Sequence, residues 1–320
     1  MLEPFEVAPV LVAKPWGGTR LSEMGKYPGR AYFGESWEIA DLAPEVAPQV
    51  EDPVSRVIDG RWRGWSLGGV SSKLGEELMG PVQLGTDGRF PLLVKLIDAR
   101  EHLSVQVHPT EEYTSSHPGT HLKTESWYVV DADPGSSLFL DVDASSPKKR
   151  VMSDLDGVTV IPHLRMVPAQ IGAFHHIPAG MIHALGAGVM VAEVQTPSDT
   201  TFRLYDWATE YDRDPRELHS AQARETVVLR HPHAFDLAPM ERGIRRELAR
   251  TPHYWIDEHR TDGTVALSDA AGFRILMCVA GTAVAGDIAM RQGSTVVVPA
   301  CALDTEVELD GTLLEVGVPV

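Results

Sequence analysis

Short runs of apolar and β-branched residues recur along the chain between turn signals: SWEIA (36–40), PLLVKLID (91–98), LSVQV (103–107), ESWYVV (125–130), SSLFLDV (136–142), RMVPAQI (165–171), AFHHIPA (173–179) and GVMVAEVQT (188–196). Runs of this kind, with little helix between them, predict an antiparallel β sandwich or barrel. Residues 53–80 break the pattern. There PVSRVIDG and VSSKLGEELMG predict short helices around a Gly/Trp-rich turn, inserted between the first strands and the main sheet. A helix is also predicted over 214–228, with Asp214 as N-cap, Pro215 at the first helical position and Glu217 at the third. After a connector at 230–254 the tail returns to β. Its RQGSTVVVPA (291–300) repeats the order of Gly turn, apolar strand and Pro seen in AQIGAFHHIPAG (169–180). The expected organisation is mainly β, with one domain over 1–240 carrying a helical insert at about 53–80, and a smaller β-domain of related build over 241–320.

A chain of 320 residues, 43% hydrophobic and 23% charged, has ample material for one large or two smaller cores. Its formal charge is −17, from 28 Lys and Arg against 45 Asp and Glu, which argues against nucleic acid or an anionic membrane as partner. An anionic small molecule stays compatible with that charge, because screening acts over about 8 Å at physiological salt and a pocket needs only one or two local cations. Cys278 and Cys301 show no metal or redox spacing. No run approaches the roughly 18 apolar residues of a membrane span. The opening MLEPFEVAPVLVAKPWGG, with acid before any base and an early Pro, is unlike a signal peptide, so the expected location is the cytoplasm.

The stretch SVQVHPTEEY (104–113) reads as a strand ending on Pro109, so Gln106 and His108, two apart, leave the same face. Glu125 opens another strand 17 residues after His108, and GAFHHIPAGMIHALGAG (172–188) has the spacing Gly172-x5-Pro178-x-Gly180-x2-His183. The second stretch resembles the second motif of the cupin superfamily. Gln106-x-His108 followed by Glu125 resembles a variant of its first motif, with Gln in place of the usual first His, and Ala187 stands where the second motif ends in Asn. The resemblance implies a cupin-type jelly-roll barrel with a metal between its sheets, held by Gln106, His108, Glu125 and His183. Two neutral imidazoles, a carboxylate and an amide oxygen form a mixed N/O set suited to a borderline divalent ion with room for substrate. One zinc ion per chain is the expected cofactor, and the ligand types leave manganese, iron, cobalt and nickel open. Singly, each His reads as a hydrogen-bonded core or turn residue; the ordered spacing is what points to ligation.

Narrower matches follow in KPWGGTRL (14–21), GESWEIAD (34–41), PLLVKLIDAREHLSVQVHP (91–109), KTESWYV (123–129), IPAGMIHALGAG (177–188) and QTPSDTTFRLYDW (195–207). Together they resemble the class I mannose-6-phosphate isomerase family in its short bacterial form, over roughly residues 10–210 and loosely afterwards. That resemblance implies interconversion of mannose 6-phosphate and fructose 6-phosphate through a cis-enediol. Such chemistry needs an electrophile, a base for the C–H and a cationic grip on phosphate. Arg203 matches the family's active-site arginine beside the enediolate, and because it follows the metal-site strand directly this reading is favoured over a structural salt bridge. Glu193, ten residues earlier, matches a carboxylate proposed as base, while Lys123 competes for that role or holds substrate. The sequence does not choose between them. Lys95 matches a lysine at the pocket mouth, and Lys95, Lys123 and Ser104 are the expected substrate-binding residues. Trp16 and Trp37 are expected in the core, and SPKKR (146–150) at the start of a helix. The family's QNSD is QTPSD here, which places Pro197 before Ser198.

Two other readings compete. A metallocupin oxygenase or decarboxylase usually carries three His and one Glu, which Gln106 speaks against. A non-catalytic sugar-binding cupin would tolerate loss of metal ligands, and none is missing. The expected partner is a small sugar phosphate, with no nucleic acid or membrane, and the chain is expected to be a monomer or weak homodimer.

Overall fold

Strands Leu93–Ala99, Glu125–Ala132 and Val189–Gln195 form the middle of the molecule because both of their faces are covered. The computed structural model describes residues 2–29, 31–85, 87–302 and 304–320. These three strands are central in a seven-stranded antiparallel sheet that runs Phe235–Leu237, Phe174–Ile177, Glu125–Ala132, Val189–Gln195, Leu93–Ala99, Glu35–Ile39, Val10–Val12. Alternation divides their side chains. Val94, Leu96, Tyr128, Val130, Met190, Ala192 and Val194 enter a core shared with Ile256, Ile275, Met277, Val297 and Leu314. Ile97, Ala99, Trp127, Val129, Val189 and Val191 enter another core with Leu138, Leu140 and Leu185. Each buried aliphatic side chain contributes about 1.5–3 kcal/mol. The second face also carries Lys95, Glu125 and Glu193, by the same period of two.

The opposing layer is a five-stranded sheet in the order Phe202–Tyr205, Val105–Val107, His183–Leu185, Ser137–Val142, Leu164–Pro168. Its outer face, with Val105, Val107, Ile182, Ala184, Phe202 and Leu204, packs on Val151, Leu155, Val160 and Ala223 from the helical segments that cover it. Gln106, His183 and Arg203 stand on the remaining, inward face. Each of the eight sequence stretches read as strands contains one, with ends moved by a few residues.

The expected domain division at 240 falls between the edge strand Phe235–Leu237 and the strand Ile244–Arg250. Strands cross that division. Phe5–Ala8 pairs with Thr295–Val298, and Arg56–Val57 pairs with Phe5–Ala8, so the eight-stranded C-terminal sheet is completed by N-terminal chain. The insert holds helices Leu67–Leu74, capped by the Ser66 side chain accepting from the Gly69 N–H, and Glu76–Met79. The helix expected over 214–228 is shorter, Ser220–Thr226. Residues before it are held out of helical geometry by long-range ties: the Arg216 N–H donates to Asp206, and the Glu217 carbonyl accepts from Arg203. Among the described residues no helix is long and apolar enough to cross a membrane.

Candidate active site and metal centre

His108, Glu125 and His183 are buried, and their ligand atoms all lie within 4.8 Å of one another. Three separate strands or strand ends deliver them, with His183 paired directly across from Gln106. The His108 Nδ1 lies 3.0 Å from the Thr200 carbonyl and the His183 Nδ1 lies 2.9 Å from the Met181 carbonyl. A carbonyl only accepts, so each Nδ1 carries the ring proton and each Nε2 turns a lone pair inward. Burial and the neighbouring Lys123 push the His108 imidazole down to about 3, so it is neutral. Burial opposes ionisation of Glu125, but the Lys123 ammonium beside it outweighs burial and holds that carboxyl well below the usual carboxylate range. Its Oε1 has no hydrogen-bond partner among the described residues, although it lies 3.1 Å from the His183 Nε2.

Acceptors thus face acceptors, and the group drawn into their midst is a cation. The Lys123 ammonium donates to Glu125 and, at 3.0 Å, to the His108 Nε2. The Gln106 amide sits 3.2 Å from the His183 Nε2 and is oriented by Ser104, whose hydroxyl donates to its oxygen at 3.1 Å. Turning the amide over keeps a bond to Ser104, now as acceptor, and aims the oxygen at the centre. Two imidazole nitrogens, one carboxylate and one amide oxygen fit a divalent ion of the zinc type.

Beside this centre runs a row of charges on the seven-stranded sheet. Trp127 pairs across from Glu193, Glu193 from Lys95, and Lys95 from Trp37. Trp127 donates its indole N–H to Glu193 Oε2 at 2.7 Å and packs edge-on against His183, 5.4 Å between ring centres. Lys95 lies 3.3 Å from Glu193, 3.4 Å from Glu35 and 3.8 Å from Asp199, and Lys14 joins Glu35 at 3.2 Å. Burial disfavours the Lys95 charge, but these carboxylates raise its pKa and keep it protonated. Lys14 and Lys95 overcome burial to bring the Glu35 carboxyl down to about 2. Glu193 goes the other way: burial, then the charge of Glu125, raises its carboxyl, and its Oε1 has no hydrogen-bond partner among the described residues.

These groups line a cleft of about 430 Å³, whose other wall brings Arg203 and Arg216, within the usual size of small-molecule sites. Arg203 is paired across from Gln106 on the neighbouring strand. Another cleft, of about 400 Å³ beneath the insert, is lined by Phe5, Trp62 and Leu74 and has no comparable set of converging donors.

All nine residues singled out from the sequence meet here. Lys95, Ser104, Gln106, Lys123, Glu193 and Arg203 line the cleft, while His108, Glu125 and His183 stand behind Gln106 and Lys123. Lys95 is not free for a phosphate, being surrounded by three carboxylates. Lys14, Glu35, Trp127, Asp199 and Arg216 belong to the site without having been singled out for it. The first four lie inside quoted motifs, but no local spacing links them. Trp16 and Trp37 are buried in apolar clusters.

The family described as phosphomannose isomerase type I, catalytic domain, matches residues 9–136. A mannose-6-phosphate isomerase of Streptococcus mutans is 31% identical over 308 residues, spanning 93% of each chain. The crystal structure of the mannose 6-phosphate isomerase from Bacillus subtilis superposes with a TM-score of 0.82 at 26% identity, covering 99% of this chain and 100% of that one. A mannose 6-phosphate isomerase solved with zinc and yttrium shares the fold, with a TM-score of 0.71 at 16% identity, and covers 100% of both chains.

Proposed function

The chain belongs to the type I phosphomannose isomerase family, and from that premise we propose that it interconverts mannose 6-phosphate and fructose 6-phosphate, moving a proton between C1 and C2 beside the His108, Glu125 and His183 cluster. The observation that carries this reading is the meeting, in one cleft, of a cation-seeking ligand set, a carboxylate of raised pKa and a cross-strand arginine. Gln106, His108, Glu125 and His183 would hold a zinc-type divalent ion, which when bound supplies a Lewis acid for the oxygens on C1 and C2.

Glu193 takes the proton. Its raised pKa moves it toward the working pH of a general base, Trp127 fixes one of its oxygens, and the other makes no hydrogen bond among the described residues and meets only the Lys95 ammonium, at 3.3 Å. Lys95 holds the Glu193 charge in place and prevents the carboxylate from turning away. Lys123 stands between the ligands and the open cleft, where it donates to a sugar oxygen as it donates to Glu125 here. Arg203, fixed by donation to the Glu217 carbonyl, keeps a permanent cation beside the developing enediolate. Ser104 serves by orienting the Gln106 amide.

Metal-loaded protein incubated with mannose 6-phosphate in heavy water tests the assignment. Fructose 6-phosphate should form with deuterium entering the sugar. Neither product nor exchange with any divalent ion would remove the isomerase reading. Glu193→Gln should lower turnover by roughly 10²–10⁴-fold at unchanged metal content; exchange at the wild-type rate in that variant would move the base to Lys123.

A further inference from the structure

The two ends of the cleft carry opposite charge. Around Lys95, the cations Lys14 and Lys95 face Glu35, Glu193 and Asp199, an excess of one negative charge. Around Asp206, the three guanidinium groups of Arg203, Arg213 and Arg216 face Asp206 and Glu101, an excess of one positive charge even before Arg100, which also joins Glu101, is counted. The Glu217 carboxylate nearby is exposed to water. An anion entering the cleft is repelled by the first end and attracted by the second.

Two of the three arginines line the cleft, Arg203 and Arg216. Asp206 positions Arg216 firmly, accepting from its Nε at 2.6 Å and from its backbone N–H at 3.0 Å. Arg216 Nη2 meets the same Asp206 oxygen, so Asp206 holds the whole Nε–Nη2 edge of Arg216, and no hydrogen bond among the described residues engages Arg216 Nη1 or Arg203 Nη2. A planar guanidinium held by one edge presents its other edge in the fork geometry that suits phosphate oxygens.

We propose that Arg216 is the phosphate grip of the cleft, with Arg203 standing between it and the reacting carbons, and that Arg216 sets the preference for phosphorylated over free sugars. The proposal rests on the isomerase reading for the identity of the sugar, but not for the anion site itself. It assigns the phosphate to the arginine end and frees Lys95 from that task, whose charge the carboxylates already consume. Arg203 is paired across from Gln106 and shares Asp206 with Arg216, so the proposal puts the reacting carbons at the ligand end and the phosphate at Arg216.

The test uses full-length, metal-loaded protein, with mannose 6-phosphate as substrate and orthophosphate as probe. Arg216→Gln should raise KM about tenfold or more with little change in kcat, and should weaken orthophosphate binding by the same factor. Arg216→Lys should recover part of both. Arg213→Gln, which removes the same charge from the cluster at a residue that does not line the cleft, should raise KM clearly less than Arg216→Gln does, and an equal rise in both would overturn the direct grip. Unchanged KM and unchanged orthophosphate affinity in Arg216→Gln would overturn the proposal.

If that variant does not fold, NMR of the wild-type arginine Nε–H signals decides. Orthophosphate should move those of Arg203 and Arg216 and leave that of Arg213 in place, whereas an unmoved Arg216 signal would count against the grip. An Arg216 response in a protein that fails to isomerise mannose 6-phosphate would uphold the anion site and remove the isomerase reading alone.

Discussion

Among the described residues two buried clusters join histidine to glutamate, and of these two only the one at the cleft is built for a cation. In the C-terminal sheet Glu315 accepts from the His259 Nε2 at 2.8 Å, from the Ser268 N–H at 2.8 Å and from the Arg274 Nε at 3.0 Å. Donors meet acceptors there, and the cluster is closed. At the cleft, the Thr200 and Met181 carbonyls take the Nδ1 protons of His108 and His183, so both rings turn acceptors toward a carboxylate that is itself an acceptor. The residue types are nearly the same. What separates a metal centre from a structural network is which ring nitrogen is already engaged, and so which one is left to bind.

The contrast is sharpest in a pair of substitutions. His183→Ala should reduce both retained metal and turnover to background, measured by metal analysis after dialysis alongside the kinetic assay. Full activity in a metal-free His183→Ala protein would break the comparison. Glu315→Gln should leave metal content and kcat as they are and lower unfolding stability by about 3–5 kcal/mol, since it strips a buried Arg274 of its counter-charge; urea titration reads this.

Acid separates the clusters next. Burial alone would raise the Glu315 carboxyl, but the bonds from His259 and Ser268 outweigh it and hold the group below the ordinary range. Its stabilisation is therefore complete above the unfolded glutamate value of about 4.3 and is lost as pH falls from there through the lower folded value. Wild-type urea midpoints should drop more steeply below that pH than those of Glu315→Gln. Parallel acid limbs would mean the carboxyl is not held down. The smallest effect is expected from Ser104→Ala, which frees the Gln106 amide: metal affinity should weaken by roughly 10–100-fold, read by competition with a chelator.

How much of this was legible in the chain depended on distance along it. The convergence of Gln106, His108, Glu125 and His183 could be read because each sits in a motif with its own ordered spacing, and period-two alternation put Gln106 and His108 on one face. Strand positions were legible for the same local reason. The fate of Lys95 was not, because its three carboxylates arrive from Glu35, Glu193 and Asp199, far apart in sequence. Arg216 was hidden for another reason. Asp214-Pro215-x-Glu217 imitates a helix start, and only the folded chain shows that Asp206 captures the next arginine and delays the helix to Ser220. The strand Phe5–Ala8 carries no local sign that its partner lies at Thr295–Val298.

That last pairing governs how the protein is made. Residues 5–8 leave the ribosome before their partner, which at about 5–20 residues per second follows on the order of tens of seconds later. Throughout that interval the first strand is an open edge, and Arg56–Val57, which pairs with it, has no completed sheet to join. Assembly of this sheet therefore waits for residues 295–298, which gather in the strand 5–8 and fasten the insert with it.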